Sequence, residues 1–268
     1  MTDGHDGRAR VTTRSGIPSA RRVVVKVGSS SISGDNAGQI EPLVDALAAA
    51  HARGTEIILV SSGAIATGMP FLKLDARPND LATQQAAAAV GQNVLIYRYQ
   101  NSLRRFGITA GQVLLTAGDL ENPTHRSNAQ RAMDRLLGLR ILPIVNENDT
   151  VATHEIRFGD NDRLAALVSQ LVEADALVLL SDVDALYTRP PQEPGAVMIS
   201  EVPVGDDLAG VTFGDIGAAG VGTGGAATKV SAARLAAASG TAVLVTSTGR
   251  VAEALTGADI GTFFAPAP

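Results

Sequence analysis

Residues 143–162 read PIVNENDTVATHEIRFGDND. The segment starts inside an apolar run, Ile141-Leu142-Pro143-Ile144-Val145, which suits a buried strand. It closes with Asn161-Asp162 ahead of Leu164, Leu167, Val168 and Leu171, spaced as one face of a helix with a polar cap in front. Between strand and helix stand Asn146, Glu147, Asn148, Asp149, Asp160, Asn161 and Asp162, seven carboxylates and amides, more than a simple turn needs. Ligands of open α/β sheets bind at the carboxyl edge of the strands. Taken alone, the stretch also fits a polar surface loop with two caps.

The chain on either side repeats the pattern. Arg21–Val27 is a β-branched run suited to a buried parallel strand, followed by Gly28-Ser29-Ser30-Ser31. Ile40, Leu43, Val44 and Leu47 predict a helix over Ile40–Arg53, capped by Gly54. Thr55–Val60 is a second strand that runs into Ser61-Ser62-Gly63-Ala64. This is a βαβ unit with two small-residue turns at one edge. Asp80–Phe106 predicts one or two helices, broken or kinked near Gly91. Strands are expected in Gly107–Thr116, Ala176–Leu180, Ala242–Val245 and Ile260–Phe264, with helices over Ser127–Gly138, Leu164–Glu173, Val230–Ala238 and Arg250–Leu255. Thr188–Gly195, with three prolines, is a loop. The alternation implies one α/β domain, a mainly parallel sheet with helices on both faces.

Composition narrows the function. The 268 residues are 45% hydrophobic but only 3% aromatic, without Trp, so the core is aliphatic. With no Cys, disulfides and thiolate metal sites are excluded. A net charge of −5 argues against a nucleic-acid partner. No apolar run reaches the roughly 20 residues of a membrane span. Residues 1–20 are polar, lack the apolar stretch of a secretory signal, and read as a disordered leader. The cytoplasm is the expected compartment. His5, His51, His125 and His154 are dispersed, with no zinc-type spacing.

The lysines are the useful anomaly. Of 22 Lys and Arg residues only Lys26, Lys73 and Lys229 are lysines, and two of these fall in Gly/Ser/Thr-rich loops. Lys26 ends a strand before a Gly/Ser turn whose N–H groups could line an anion site, although a lysine snorkelling from a strand end reads the same way. Neither G-x-x-x-x-G-K-[ST] nor G-x-G-x-x-G follows it, so it is no P-loop or nicotinamide fingerprint. Gly222-Thr223-Gly224-Gly225-Ala226-Ala227-Thr228-Lys229 feeds a helix N-terminus and suits a polyphosphate better than a flexible linker does. Ser61-Ser62-Gly63 offers hydroxyls and N–H groups, or is simply a capped turn. Ser181-Asp182 at another strand end is a nucleotide contact or ordinary loop polarity.

Together VVVKVGSS (23–30), VSSGAIATG (60–68), AVGQ (89–92), GQVLLT (111–116), PIVNENDTVA (143–152), FGDND (158–162), LLSDVDALYT (179–188) and GTGGAATK (222–229) resemble the amino acid kinase family, and within it the glutamate 5-kinases. The match runs from about Val23 to the end. The resemblance implies a three-layer αβα sandwich around a sheet of about eight strands, and domain limits of 21–268. It implies ATP-dependent phosphorylation of L-glutamate to L-glutamyl 5-phosphate, the first step of proline synthesis. By motif, Lys26 contacts the transferring phosphate. Asp162 orients Lys26 and Lys229. Ser62, Gly63, Asn146, Asp149 and Asn161 hold glutamate. Gly28, Ser181, Asp182 and the loop Thr223, Gly224, Gly225, Ala226, Ala227, Thr228 and Lys229 hold ATP. Ser181 stands where the family often has Thr. Mg²⁺ is expected with the nucleotide, and no protein side chain is assigned to it. The family also implies a homo-oligomer, dimer or tetramer, feedback inhibition by L-proline, and a downstream glutamyl phosphate reductase. Gly214–Gly225 is a candidate lid. Many members carry a C-terminal PUA domain, for which this chain leaves no residues. Two other readings stay open: a kinase for N-acetylglutamate or aspartate, against which NEND…GDND argues, and a nucleotide- or proline-binding regulator without turnover.

Overall fold

The computed structural model describes residues 10–152, 161–211 and 225–268. Its sheet has eight strands in the order β3-β4-β2-β1-β5-β9-β10-β8. These are β1 (Arg22–Lys26), β2 (Glu56–Val60), β3 (Ala110–Leu115), β4 (Leu142–Glu147), β5 (Ala176–Ser181), β8 (Glu201–Val202), β9 (Ala242–Ser247) and β10 (Thr262–Phe264). All pair in parallel except β9 with β10. Two short strands, β6 (Leu186–Tyr187) and β7 (Met198–Ile199), form an antiparallel hairpin whose connection includes the proline-rich loop.

Helices cover both faces because both faces of the strands are apolar. One core joins Val23, Val25, Ile57 and Leu59 to Leu43 and Leu47 of α1 (Ile40–Ala52) and to Leu95 and Leu103 of α3 (Leu81–Leu103). The other joins Val24, Ile58, Val60 and Val145 to Met133 of α5 (Pro123–Gly138), Leu164 and Val168 of α6 (Asn161–Leu171), and Val230 and Ala233 of α7 (Ala226–Ala238). The short α2 (Ala64–Gly68), α4 (Ala117–Glu121) and α8 (Val251–Leu255) complete the layers. This is the expected three-layer αβα sandwich. Among the described residues no helix is long and apolar enough to cross a membrane.

Three expectations need correction. The helix expected to break near Gly91 is continuous over 23 residues. Gly91 permits a close approach instead: a Cβ there would lie 1.8 Å from the Ala64 carbonyl oxygen, and one at Gly68 would lie 1.9 Å from that of Ala87. The α2 and α3 backbones therefore touch at two reciprocal glycines. Second, α5 begins at Pro123 and not at Ser127, because the Asn122 side chain accepts from the Thr124 and His125 N–H groups with Pro in the first turn. Third, residues 10–20 are not a disordered leader. Arg14–Ser19 form a 3-10 helix, Val11 and Ile17 are buried, and Arg14 Nε donates to the Ile260 carbonyl at 3.0 Å. Residues 1–9 lie outside the described residues.

The reciprocal contact predicts that Gly91→Ala destabilises the fold by about 2 kcal/mol or more, a fall of roughly 4–8 °C in melting temperature. Gly38→Ala, with nothing within 4 Å of the new methyl, should shift the midpoint by under about 2 °C. Equal midpoints for the two variants in a thermal scan would exclude the backbone contact.

Candidate functional site

Strand register sets the rim of the site. Lys26, Val60, Val145, Leu179 and Val245 lie in one row across β1, β2, β4, β5 and β9. Polar residues follow that row, Ser61 and Asn146 one position past it and Ser181 and Ser247 two positions past it. From β1 the sheet grows to β2, β4 and β3 on one side and to β5 and β9 on the other. The carboxyl ends beside β1 are thus a topological switch point, where such sheets bind ligands.

Lys26, Asp162 and Lys229 meet below this rim. Asp162 is the second residue of α6 and Lys229 the fourth of α7, so both stand in first helical turns, at the positive ends of the helix dipoles. Lys26 Nζ is in direct contact with Asp162 Oδ1, and Lys229 Nζ lies 3.1 Å from Asp162 Oδ2. The side chains of Lys26, Asp162 and Lys229 are 3%, 0% and 7% exposed. Buried charges persist only when paired. Here two ammonium groups share one carboxylate, so the three groups carry one net positive charge, which favours an anion. Gly28 runs above Lys26: a Cβ on it would lie 3.9 Å from Lys26 Nζ.

The turns after β1, β2, β5 and β9 are tied together. Gly63, at φ +90°, packs against Ser29, and a Cβ on it would lie 3.3 Å from Ser29 Cβ. Thr248 Oγ1 donates to Ser31 Oγ at 2.9 Å and reaches the Ser181 carbonyl at 3.3 Å. Ser181 Oγ donates to Asp182 Oδ1 at 3.0 Å. Thr228 Oγ1 donates to the Gly225 carbonyl at 2.8 Å.

Amides line the β2–β4 side. Asn161 Nδ2 donates to the Ser61 carbonyl at 2.5 Å and to Asn146 Oδ1 at 2.8 Å. Asn146 Nδ2 donates to Gln92 Oε1 at 2.7 Å. Ser61 Oγ and the Tyr99 hydroxyl are 3.0 Å apart. Burial pushes the Tyr99 phenol well above its usual pKa, against a smaller opposite effect of Ser61, so it stays neutral. Ser62, Gly63 and Asp149 are partly exposed at this rim.

The structure therefore brings Lys26, Lys229 and Asp162 into contact and places Gly28, Ser62, Gly63, Asn146, Asp149, Asn161, Ser181, Asp182 and Gly225–Lys229 in segments at the same carboxyl edge. Thr223, Gly224 and most of the proposed lid lie outside the described residues. Gln92, Tyr99 and Thr248 were not singled out from sequence. Ser247-Thr248-Gly249 was readable as a fourth hydroxyl/Gly turn after a strand. Gln92 closes the matched segment AVGQ (89–92), from which no role was read, and nothing local marks Tyr99; both reach the site from α3. Among the described residues no group of three His, Asp or Glu side chains could hold a metal.

The family model described as the amino acid kinase family matches residues 21–247. A protein of Clavibacter sepedonicus named glutamate 5-kinase is 77% identical over 254 residues, covering 95% of this chain and 98% of that one. One of the same name from Leifsonia xyli is 74% identical over 257 residues, covering 96% and 95%. A longer relative of that name from Streptomyces coelicolor is 56% identical over 255 residues, which are 94% of this chain but 68% of its own length. Among solved structures, carbamate kinase from Giardia lamblia bound to AMP-PNP superimposes with a TM-score of 0.68 at 17% identity, covering 93% of this chain and all 100% of that one. That likeness is one of fold.

Removing the shared carboxylate should leave two adjacent buried ammonium groups. Asp162→Ala is expected to cost about 3–5 kcal/mol of stability. The reading is the shift of the urea midpoint, and an unmoved midpoint would show that the lysines do not depend on Asp162.

Proposed function

The chain belongs to the amino acid kinase family, and from that premise we propose that its site transfers the γ-phosphoryl group of ATP to the side-chain carboxylate of L-glutamate. The product is L-glutamyl 5-phosphate, the first intermediate of proline biosynthesis. Relatives named glutamate 5-kinase, 74–77% identical over almost their full length, support the substrate. The observation that carries the mechanism is the contact of Lys26 and Lys229 with one buried carboxylate at the carboxyl edge of the sheet.

The γ-carboxylate has an ordinary pKa of about 4.3, so it is ionised at neutral pH and needs no general base. The two described histidines have other partners: His51 lies against the Arg140 carbonyl and His125 against Asp119. A carboxylate oxygen forms the new bond to the γ-phosphorus. The bond from that phosphorus to the β–γ bridging oxygen breaks, and ADP leaves with the electron pair. An anionic nucleophile must approach an anionic phosphate, so the barrier is lowered by positioning and positive charge. Lys26 and Lys229 supply the charge, and Asp162 holds them in place. Ser62, Gly63, Asn146, Asp149 and Asn161 hold glutamate, with the Asp149 carboxylate suited to its ammonium group. Gly28, Ser181, Asp182 and residues 223–229 hold the nucleotide. Mg²⁺ would enter with the nucleotide as MgATP and add positive charge to the phosphates.

The same reading carries four further proposals. L-Proline, which keeps an α-carboxylate and an ammonium group, inhibits by competing near the glutamate side. A reductase consumes the unstable acyl phosphate. The enzyme works as a homo-oligomer, dimer or tetramer, and in the cytoplasm.

Lys229→Ala is expected to lower kcat by about 10²–10³-fold while KM for glutamate changes far less; an unchanged kcat would remove Lys229 from the mechanism. The substrate is tested by trapping acyl phosphate with hydroxylamine in the presence of ATP and L-glutamate, N-acetyl-L-glutamate or L-aspartate. Signal with L-glutamate alone is expected. Signal with another acid would reassign the substrate, and ATP binding without any product would make the chain a regulator.

A further inference from the structure

Four groups form a directed chain on the glutamate side of the site: Gln92 Oε1, the Asn146 amide, the Asn161 amide and the Ser61 carbonyl. An amide can be turned end for end, but backbone partners forbid it here. The Ser61 carbonyl only accepts, so Asn161 must point Nδ2 at it. The Glu147 N–H only donates, and it lies 2.9 Å from Asn146 Oδ1, so Asn146 must keep its oxygen on that side. Asn146 Oδ1 then accepts from Asn161 as well, and Asn146 Nδ2 is left facing Gln92. Gln92 and Asn146 are buried, at 9% and 2% exposure. A buried Nδ2 needs an acceptor, and Gln92 Oε1 provides it.

Both hydrogens of Asn161 Nδ2 are used inside this chain. The atom that Asn161, partly exposed, has left for a ligand is its oxygen. We propose that Gln92 is a positioning residue for substrate selection: its Oε1 anchors the Asn146 amide, whose oxygen anchors Asn161, and so holds in place the Asn161 Oδ1 that the Ser61 carbonyl leaves turned to the substrate, an acceptor for the α-ammonium group of glutamate. An N-acylated amino acid offers one N–H and no positive charge there, and a des-amino acid offers nothing. The position of Gln92 is itself fixed, because the neighbouring Gly91 is in backbone contact with α2, and α2 follows directly from the Ser61–Gly63 turn.

This inference rests on the glutamate kinase reading, and the test separates the two. Gln92→Met keeps the length of the side chain and removes the acceptor; Gln92→Glu keeps an acceptor. Gln92→Leu replaces Gln92→Met in the comparison if the latter does not fold, as judged by thermal melting. Glutamate KM and kcat, ATP KM, and the inhibition constant of glutarate (glutamate without its amino group) are measured for each. In Gln92→Met the glutamate KM should rise about tenfold, the effect of weakening one hydrogen bond to a charged group. The ATP KM and the glutarate inhibition constant should stay within about twofold and kcat within about threefold, and Gln92→Glu should restore the glutamate KM. Equal losses for glutamate and glutarate, or no restoration by Gln92→Glu, would overturn the ammonium role and leave Gln92 a packing residue. An unchanged glutamate KM in Gln92→Met would overturn it too. A wild-type chain that does not phosphorylate glutamate would instead overturn the parent reading.

Discussion

Asp162 has no exposed side-chain surface, yet its two oxygens meet ammonium groups that arrive from opposite ends of the chain. Lys26 comes from the end of the central strand β1 and Lys229 from the first turn of α7. Each buried ion costs several kcal/mol in lost hydration, recovered only if its partners sit at contact distance. The requirement reaches far into the fold. It fixes where α6 and α7 start relative to β1, and hence which apolar residues of those helices lie on the sheet. Leu164 and Val168 of α6 and Val230 and Ala233 of α7 share one core with Val24 of β1. The aliphatic packing and the charged contact are therefore two constraints on one arrangement. Helix dipoles add to it, since both helices turn their positive ends to the edge that carries the net positive charge.

Much of this was legible in the sequence because the signals were local. Strand ends followed by Gly/Ser turns marked the carboxyl edge before the sheet order was known. The scarcity of lysine made Lys26 and Lys229 stand out, and the polar density of 146–162 marked the Asp162 side. Register then does in space what sequence shows only in series: it sets Ser61, Asn146, Ser181 and Ser247 one or two residues beyond a common row.

What was not legible depended on distant partners. A glycine inside a helix costs about 1 kcal/mol relative to alanine, so Gly91 reads as a weak point. Its value is the space it leaves for Ala64, which no helical pattern reveals. Gln92 closes a matched motif that says nothing of its partners, and Tyr99 carries no motif; both matter because that approach brings α3 against the Ser61 turn. Residues 10–20 look too polar to pack. They are held by two buried side chains, Val11 and Ile17, and by arginines bonded to carbonyls more than two hundred residues away in sequence, at Ile260, Gly261 and Ala267.

The burial of Tyr99 has an optical consequence. With no Trp and three Tyr, the near-ultraviolet absorbance and emission of this chain come mainly from phenol rings. Tyr97 is 67% exposed and Tyr187 bonds Asp184 at the surface hairpin. Tyr99 alone of the three is fully buried and hydrogen-bonded to the Ser61 turn. A displacement of that turn changes the polarity and bonding around one chromophore and leaves the other two as an internal reference. The fold thus contains a spectroscopic reporter beside the Ser61–Gly63 turn, readable by difference absorbance without a label.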